Sequence, residues 1–366
     1  MLRSSNFIKP FQLTFLTTNT CTAACSHCSV NSSPSRKGSL TSAQMIKTID
    51  QFIASGPLQV IIFAGGEPTL LGNALLETIA YADSIGLITR MVTNAHWATS
   101  PESAHIKLNQ LREAGLRELN ISCDDYHTPF IPVNRIRFAW NCSKGMGFDA
   151  VVIASASGPD SILTPARIRE ILEEDVPLFY DEDGAGPNHF PRGEEIRIIS
   201  NSQVSRLGRG VDNVPTTSLK FPKSQSILDV GCRWIGGSPA ISPNNHLLSC
   251  CGMEANGRKH LDYGNLEMND VPSLLADAQR DVVVAAISTL GPFKIMKFLK
   301  SVEPSAKFWP LYSGVCEMCA HIFARPDVVA LLDKHLEALE LLVAMAERKQ
   351  ALHSQPAATP IITGSK

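Results

Sequence analysis

The chain has 366 residues, with 33 Lys and Arg against 35 Asp and Glu, a net charge of −2 and 44% hydrophobic residues. This balance provides neither a basic surface for nucleic acid nor an acidic run for a basic partner. Near the N-terminus no charged segment precedes an apolar stretch, and no apolar run reaches the roughly 18 residues that a membrane span needs. We therefore expect a protein with no nucleic-acid partner and no membrane partner. The length allows two domains, or one barrel with an appendage.

The first two hundred residues alternate short apolar runs with helical patterns. The apolar runs predict strands over residues 12–18, 60–64, 89–94, 119–124, 150–156 and 195–200. Amphipathic helices are predicted between them over 42–54, 74–85, 103–114, 135–144 and 166–174. Thr41 or Ser42 would cap the first helix, and Thr164, followed by a proline, would cap the fifth. Six strand–helix units predict a parallel α/β sheet in an open or partial (β/α)6 barrel, whose active residues gather where the strands end.

The composition changes after residue 205. We assign residues 1–210 to the barrel, and the stretch 211–229, rich in Pro, Ser, Thr and Lys, to a linker. Residues 230–325 carry half of the cysteines, many Gly, Pro and Asn and little regular periodicity, which is typical of a small metal-stapled domain. An amphipathic helix is predicted over 326–350 and a disordered tail over 351–366.

Three cysteines, Cys21, Cys25 and Cys28, follow the first predicted strand within one short loop. Without a secretion signal, cysteines in such tight clusters indicate metal ligation and a reducing compartment, here the cytoplasm. Three thiolates can hold a four-iron cluster and leave one iron without a protein ligand, which distinguishes a catalytic site from a structural one. His27, just before the third cysteine, is aromatic. For this triplet alone, a zinc site or an iron–sulfur electron carrier are the alternatives.

A second motif, Gly65-Gly66-Glu67-Pro68, follows directly on the second predicted strand. Two glycines let the backbone approach a ligand closely, and a carboxylate beside exposed strand-end groups can bind an ammonium group. One strand after a Cys-x3-Cys-x-aromatic-Cys loop, this motif resembles the radical S-adenosylmethionine (radical SAM) superfamily. The resemblance implies a [4Fe-4S] cluster on the three cysteines, S-adenosylmethionine bound by Gly65, Gly66, Glu67 and Pro68, and His27 beside the cofactor.

The resemblance also implies a reaction class. The reduced cluster passes one electron to the sulfonium of S-adenosylmethionine, the C5′–S bond breaks, and a 5′-deoxyadenosyl radical abstracts a hydrogen atom from the substrate. The cofactors carry out the difficult step, while the protein orients them and excludes water. A reductant of the flavodoxin or ferredoxin type is implied as a partner.

Further residues at the strand ends fit the same family. Asn94 lies in a turn similar to the Thr-Asn-Gly/Ala turn that follows the third strand. After the fourth strand, alternation places Ser122 and Asp124 on one face, where both could reach the cofactor's carboxylate or ribose. The same alternation turns Cys123 toward the helix layer, so it is less suited to donate a hydrogen atom.

Three residues have two interpretations each. Asp125 and His127, at the top of the barrel, are candidates for acid/base groups, and the alternative is a capped loop before the next helix. Arg209 lies in a turn that resembles the Gly-Arg-Ala turn of many radical SAM barrels, where it would lie near the cofactor. The alternative for Arg209 is an ordinary surface arginine.

The C-terminal cysteines resemble the auxiliary-cluster extension called SPASM, or its shorter form, Twitch. Asn245 stands where that pattern has a glycine, and asparagine also tolerates a left-handed turn. The full SPASM form needs seven cysteines and this segment has five, so we expect four ligands for one auxiliary [4Fe-4S] cluster. These are Cys232, Cys250, Cys316 and Cys319. The spacing favours Cys250 over Cys251, and a structural zinc is the alternative metal.

A Twitch-type extension implies that the substrate is a peptide or a protein, modified by a crosslink, an epimerisation or a thioether. The rival among enzymes is a radical SAM enzyme acting on a small molecule, by dehydrogenation or in cofactor biosynthesis. The rivals outside enzymes are an iron–sulfur electron carrier and a zinc-stabilised scaffold. The first strand begins near residue 11, which leaves no room before it for a leader-recognition domain, so a separate protein could recognise the peptide.

Overall fold

A computed structural model describes residues 7–180, 194–250 and 255–354. The strands are β1 (Gln12–Leu16), β2 (Val60–Ala64), β3 (Ile88–Thr93), β4 (Glu118–Ser122), β5 (Ala150–Ser157), β6 (Ile196–Gln203), β7 (Ala240–Ile241), β8 (His246–Leu248) and β9 (Asp262–Asn265). The first helices are α1 (Ser42–Ser55), α2 (Asn73–Ser84), α3 (Pro101–Glu113), α4 (Val133–Cys142), α5 (Pro165–Leu172), α6 (Gly210–Asn213) and α7 (Trp234–Gly237). The later ones are α8 (Val271–Arg280), α9 (Val282–Thr289), α10 (Gly291–Val302), α11 (Val315–Phe323), α12 (Pro326–Lys334) and α13 (Leu336–Ser354).

The barrel strands run parallel in the order β6-β5-β4-β3-β2-β1. Every predicted strand of the first 203 residues is present, with ends within three residues of the prediction. The interior of β2, Ile61 to Phe63, is buried, as expected for a parallel strand covered by helices. Because all six strands point the same way, their C-terminal ends form one edge, and the loops leaving that edge carry the motifs.

The predicted helix caps are confirmed. The Thr41 hydroxyl accepts a hydrogen bond from the backbone of Gln44, whose side chain returns to the Thr41 backbone as a capping box. Thr164 caps α5 by accepting from the backbone N–H of Arg167, with Pro165 at the first helical position.

The chain after residue 230 differs in two ways from the predicted metal-stapled segment. First, β7 pairs in parallel with β1, and β8 and β9 follow in antiparallel order, so this segment extends the barrel sheet. Second, residues 230–325 contain five described helices, α7 to α11. In α9 the residues from Val283 to Ile287 are all buried, and a helix that is apolar on every side has no amphipathic period to detect.

The C-terminal helix is broken at His335 into α12 and α13. The second piece continues to Ser354, beyond the predicted end at residue 350. Of the predicted disordered tail, residues 355–366 lie outside the described residues. The described helices include none that is by itself long and apolar enough to cross a membrane, although α9 and α10 pass that test as a pair bent by 117°.

Candidate metal and cofactor site

The three N-terminal cysteines lie in the loop that leaves β1, at the C-terminal edge of the barrel. They line a cavity of about 370 Å³ together with Gly65, Gly66, Asn94, Ser122, His27 and His127. Backbone hydrogen bonds hold the loop, since Cys21 donates to Ser33 at 3.1 Å and the N–H of Ser32 donates to the Cys28 sulfur at 3.3 Å. The structure thus brings most of the predicted cofactor residues around one opening.

The electrostatics of the loop fit a cationic metal core. Burial, reinforced by the nearby charges of Glu67, Cys25 and Cys28, raises the pKa of the Cys21 thiol to about 12. A thiolate at Cys21 is poorly solvated here and is repelled by its acidic neighbours, so a bound cation would favour its ionisation. These residues therefore fit an iron–sulfur cluster held by three protein ligands.

The two glycines after β2 allow the backbone to approach the cysteine loop more closely than any residue with a side chain could. A Cβ on Gly66 would lie 2.1 Å from the carbonyl oxygen of Thr20, and Gly65 has φ +112°. The Gly66 N–H donates to the carbonyl of Thr18 at 2.7 Å. The end of β2 is thereby pressed against the cysteine loop, and both glycines face the cavity.

The Glu67 side chain has a different environment from the one predicted. It is fully buried, does not line the cavity, and accepts hydrogen bonds from the hydroxyl of Thr93 at 2.8 Å and from the backbone N–H of Asn94 at 2.9 Å. The same carboxylate accepts from the Thr69 hydroxyl at 2.6 Å. Glu67 therefore fixes the end of β3 relative to β2, and Pro68 begins the short 3-10 helix Pro68–Leu71 beside it.

Asn94 connects the end of β3 to the cysteine loop. Its side-chain NH₂ donates to the Thr22 hydroxyl at 3.0 Å and to the Cys21 sulfur at 3.5 Å. Ala95 follows with φ +56°, in the left-handed region, where the turn leaves the strand. Sequence reasoning missed Thr93 and Thr69, although the position of Thr93 next to Asn94 in a strand-end turn could have indicated it.

After β4, Ser122 lines the cavity but Asp124 does not. The Asp124 carboxylate is buried and contacts two histidines, His127 Nδ1 at 2.8 Å and His27 Nε2 at 3.4 Å. Burial opposes ionisation, but these two hydrogen bonds hold the pKa of Asp124 well below its usual range. The predicted direct reach of Asp124 to the cofactor is thus replaced by a role in orienting two rings.

One of those rings, His27, belongs to the cysteine loop, and the other, His127, packs against it. The ring of His27 stacks on Tyr126 with centroids 4.5 Å apart and meets His127 edge-on at 5.0 Å. One ligand atom each of Cys25, His27 and His127 lies within 4.8 Å of the others. Burial by itself would lower the pKa of His127, but hydrogen bonds to Asp124 and Cys25 raise it to about 10.

Asp125, one of the two predicted acid/base candidates, has backbone partners in the loop after β5. Its two carboxylate oxygens accept hydrogen bonds from the backbone N–H groups of Ile162 at 2.8 Å and Leu163 at 3.0 Å. Asp125 therefore anchors the loop after β5, in agreement with the alternative of a capped loop. Cys123 is 1% exposed within the core, and burial raises its pKa to about 12, which confirms the predicted orientation away from the cavity.

Arg209 contacts the cysteine loop through its backbone carbonyls. The guanidinium donates to the carbonyl of Cys25 at 2.8 Å and to that of Ser32, while the Arg209 N–H donates to Cys28 at 3.0 Å. Gly208 has φ +51°, and a Cβ there would lie 2.5 Å from the Cys28 carbonyl oxygen. The arginine is thus no ordinary surface residue, and its described hydrogen bonds hold the cysteine loop that lines the cavity.

The four C-terminal cysteines come together from three parts of the chain. Burial raises the pKa of Cys319 well above its usual value, with further contributions from the nearby Cys250, Cys232 and Cys316. Cys316 and Cys319 lie one turn apart on α11, and Cys250 follows β8. Asn245 has φ +61°, as its place in the motif predicted. The rejected alternative Cys251 lies outside the described residues.

Comparison with known proteins finds a family match over part of this chain. Residues 15–152 match the family model described as the Radical SAM superfamily, and that range contains the cysteine loop and Gly65–Pro68. The structure resembles anSMEcpe, solved with bound AdoMet and a Cp18Cys peptide, with a TM-score of 0.54 and 12% identity over 92% of this chain and 99% of that chain. The sequence similarity to radical SAM proteins thus covers residues 15–152, and the structural similarity confirms the partial barrel fold.

Two curated relatives match parts of this chain. A Bacillus subtilis (strain 168) protein described as a peptide biosynthesis protein, YydG, is 26% identical over 117 residues, which are 32% of this chain and 37% of that protein. The PqqA peptide cyclase of Bradyrhizobium diazoefficiens is 34% identical over 106 residues, 29% of this chain and 26% of that protein. The match thus spans between a quarter and two fifths of the length of these relatives.

Proposed function

We propose that this protein is a radical SAM enzyme that cleaves S-adenosylmethionine and abstracts a hydrogen atom from a peptide or protein substrate. One observation carries the proposal: the three cysteines and the Gly65–Gly66 backbone line the same cavity of about 370 Å³. The cysteines would hold a [4Fe-4S] cluster, and the exposed strand-end backbone beside it would bind the amine of S-adenosylmethionine. When bound, these groups supply the electron transfer and the carbon radical.

The residues of the chain have distinct parts in this scheme. Glu67 fixes the turn that presents Asn94 to the loop, and Asp124 joins His27 of the loop to His127. Arg209 holds the loop through the carbonyl of Cys25. Of the two residues predicted to act as acid or base, His127 keeps that proposed role, because it faces the cavity.

The substrate proposal is supported by the two curated relatives, whose names refer to peptide biosynthesis and peptide cyclisation. A flavodoxin- or ferredoxin-type reductant, a separate peptide-recognition protein and a cytoplasmic location belong to the same proposal. They rest on the chemistry that the radical SAM domain requires and on the reduced cysteines of both clusters.

We also propose an auxiliary [4Fe-4S] cluster on Cys232, Cys250, Cys316 and Cys319. The nearby thiols of Cys232, Cys250 and Cys316 contribute to the raised pKa of the buried Cys319, which supports four ligands around one metal core. A structural zinc on the same four cysteines is the alternative, and the metal content of the purified chain distinguishes the two.

The test is a chain purified without oxygen, reconstituted with iron and sulfide, reduced and incubated with S-adenosylmethionine. We expect about eight irons per chain and formation of 5′-deoxyadenosine. A fully reconstituted sample that forms none would overturn the enzyme proposal and leave the electron carrier. About four irons with one zinc would revise only the auxiliary site.

The class of substrate needs its own measurement. Deuterium transferred into 5′-deoxyadenosine from a labelled peptide encoded beside this gene would support peptide modification. Turnover of a small molecule by the same sample, with the peptide left unlabelled and unmodified, would favour the small-molecule alternative.

A further inference from the structure

One buried carboxylate is not used by the proposed chemistry. Glu317 lies between Cys316 and Cys319 on α11 and is fully buried. Its Oε1 accepts from Arg206 Nε at 2.6 Å, and its Oε2 accepts from the backbone N–H of Ser313 at 2.6 Å. A buried carboxylate needs a fixed cationic partner, and here that partner comes from the barrel, just after β6.

Arg206 has contacts with Trp309 and Leu311 in addition to Glu317. Its guanidinium stacks 3.9 Å above the ring of Trp309 and donates to the carbonyl of Leu311 at 3.2 Å. Its own backbone N–H also donates to Glu317 at 3.2 Å. A planar guanidinium that is stacked and hydrogen-bonded in this way fixes both the distance and the orientation of Glu317 relative to the turn. A lysine ammonium would not fix the orientation.

The same short turn contacts the other cysteine loop. Three residues after Arg206, the side chain and the backbone of Arg209 donate to carbonyls of the loop that carries Cys25 and Cys28. Between them, Gly208 allows the turn to touch that loop, since a Cβ at this position would lie 2.4 Å from the carbonyl of Ser29. The turn 206–209 therefore contacts the Cys25–Cys28 loop directly and contacts Glu317 on the helix that carries Cys316 and Cys319.

We propose that the turn 206–209 couples the two metal sites, with Glu317 and Arg209 as positioning residues at its two ends. Displacing α11 would move Arg206 and, through the turn, the backbone of the Cys25–Cys28 loop. Disorder in α11 would then increase disorder in the Cys25–Cys28 loop, and disorder in that loop would increase disorder in α11. The coupling free energy is the same in both directions. This inference deepens the proposed function, because it assigns a structural link between the two proposed clusters.

The test uses the full chain without metals, so that it does not depend on the chemistry. Hydrogen exchange is measured in the wild type, in Glu317→Gln, which removes one charge, and in Arg209→Gln. We expect Glu317→Gln to speed exchange by at least roughly tenfold in residues 315–323, in 206–213 and also in 25–33. Arg209→Gln should speed exchange in 25–33 and, by reciprocity, in 315–323.

A matched control is Glu303→Gln, the same substitution at an exposed carboxylate of the C-terminal part. It should leave all three regions unchanged. Alkylation of Cys28 by iodoacetamide, followed by mass spectrometry, gives a second readout, and it should be faster in Glu317→Gln than in Glu303→Gln. If the effect of Glu317→Gln ends within 313–323 and residues 25–33 exchange as in the wild type, the proposed coupling is wrong.

The two proposals can fail separately. Coupled exchange in a protein that makes no 5′-deoxyadenosine after reconstitution would reject the enzyme proposal and keep the link between the two loops. Formation of 5′-deoxyadenosine without coupled exchange would reject the link alone.

Discussion

The two cysteine sites of this protein are built in opposite ways. The N-terminal site takes its three cysteines from one loop after β1, beside a cavity of about 370 Å³. The C-terminal site gathers four cysteines from α11, from the end of β8 and from the segment before α7, and Cys319 is buried. Three metal ligands beside a cavity would leave room for a cofactor, whereas four from distant segments would fasten the chain together. In the proposed scheme, the first arrangement suits chemistry, and the second suits support of the substrate or of the fold.

The largest expected effect separates the two sites directly. Cys25→Ala should abolish formation of 5′-deoxyadenosine, because the open cluster loses one of three ligands, while the auxiliary iron remains. Iron content and product formation by chromatography measure both outcomes. The control is Cys142→Ala, on α4 and outside both sites, which should retain activity. Equal loss of iron from both sites in Cys25→Ala would show that the N-terminal and C-terminal cysteines do not form two independent sites.

A backbone change at the first site should be nearly as damaging. Gly66→Ala places a methyl group where a Cβ lies 2.1 Å from the Thr20 carbonyl oxygen, so β2 and the cysteine loop must separate. A misplacement on the order of 1 Å costs about a hundredfold in rate. The initial rate of 5′-deoxyadenosine formation checks this expectation. Gly56→Ala is the matched control, since nothing lies within 4 Å of a Cβ at that position. An unchanged rate in Gly66→Ala as well would contradict the need for close contact between β2 and the cysteine loop.

Loss of an auxiliary ligand should affect a different step. Cys316→Ala should leave some cleavage of S-adenosylmethionine and abolish modification of the substrate, with roughly half of the iron retained. Measurement of 5′-deoxyadenosine beside modified product in one reaction shows whether the two are separated. Loss of both products in proportion would indicate that the second site only supports the fold.

The smallest expected effect is on stability in the C-terminal helices. Burial by itself would lower the pKa of His260, but its contacts with Asp281 and Asp333 raise it above the ordinary value of 6.5. Its protonated form therefore stabilises the fold fully below pH 6.5, and this contribution is lost as the pH rises through the folded-state pKa. His260→Gln should cost about 1 kcal/mol at pH 6 and less at pH 9, as measured by urea unfolding. A cost that grows with pH would contradict this assignment.

Local patterns predicted the first half of the molecule well. Strand alternation correctly turned Cys123 into the core, and the caps Thr41 and Thr164 were predictable from a few neighbouring residues. Contacts between distant residues were not predictable in this way. Arg206 and Glu317 are 111 positions apart, and neither has a local pattern that selects the other among the remaining charges. Asp124 and Glu67 were placed at the correct edge, but their partners depend on how neighbouring strands are packed.

The pairing of β7 with β1 has a consequence for handling the protein. An unpaired strand edge is a template for association with other chains, and β1 would be such an edge if the residues after 230 were removed. A chain cut at residue 229 should therefore expose that edge and associate with other copies of itself. The pairing of β7 with β1 thus protects the barrel sheet from edge-to-edge association.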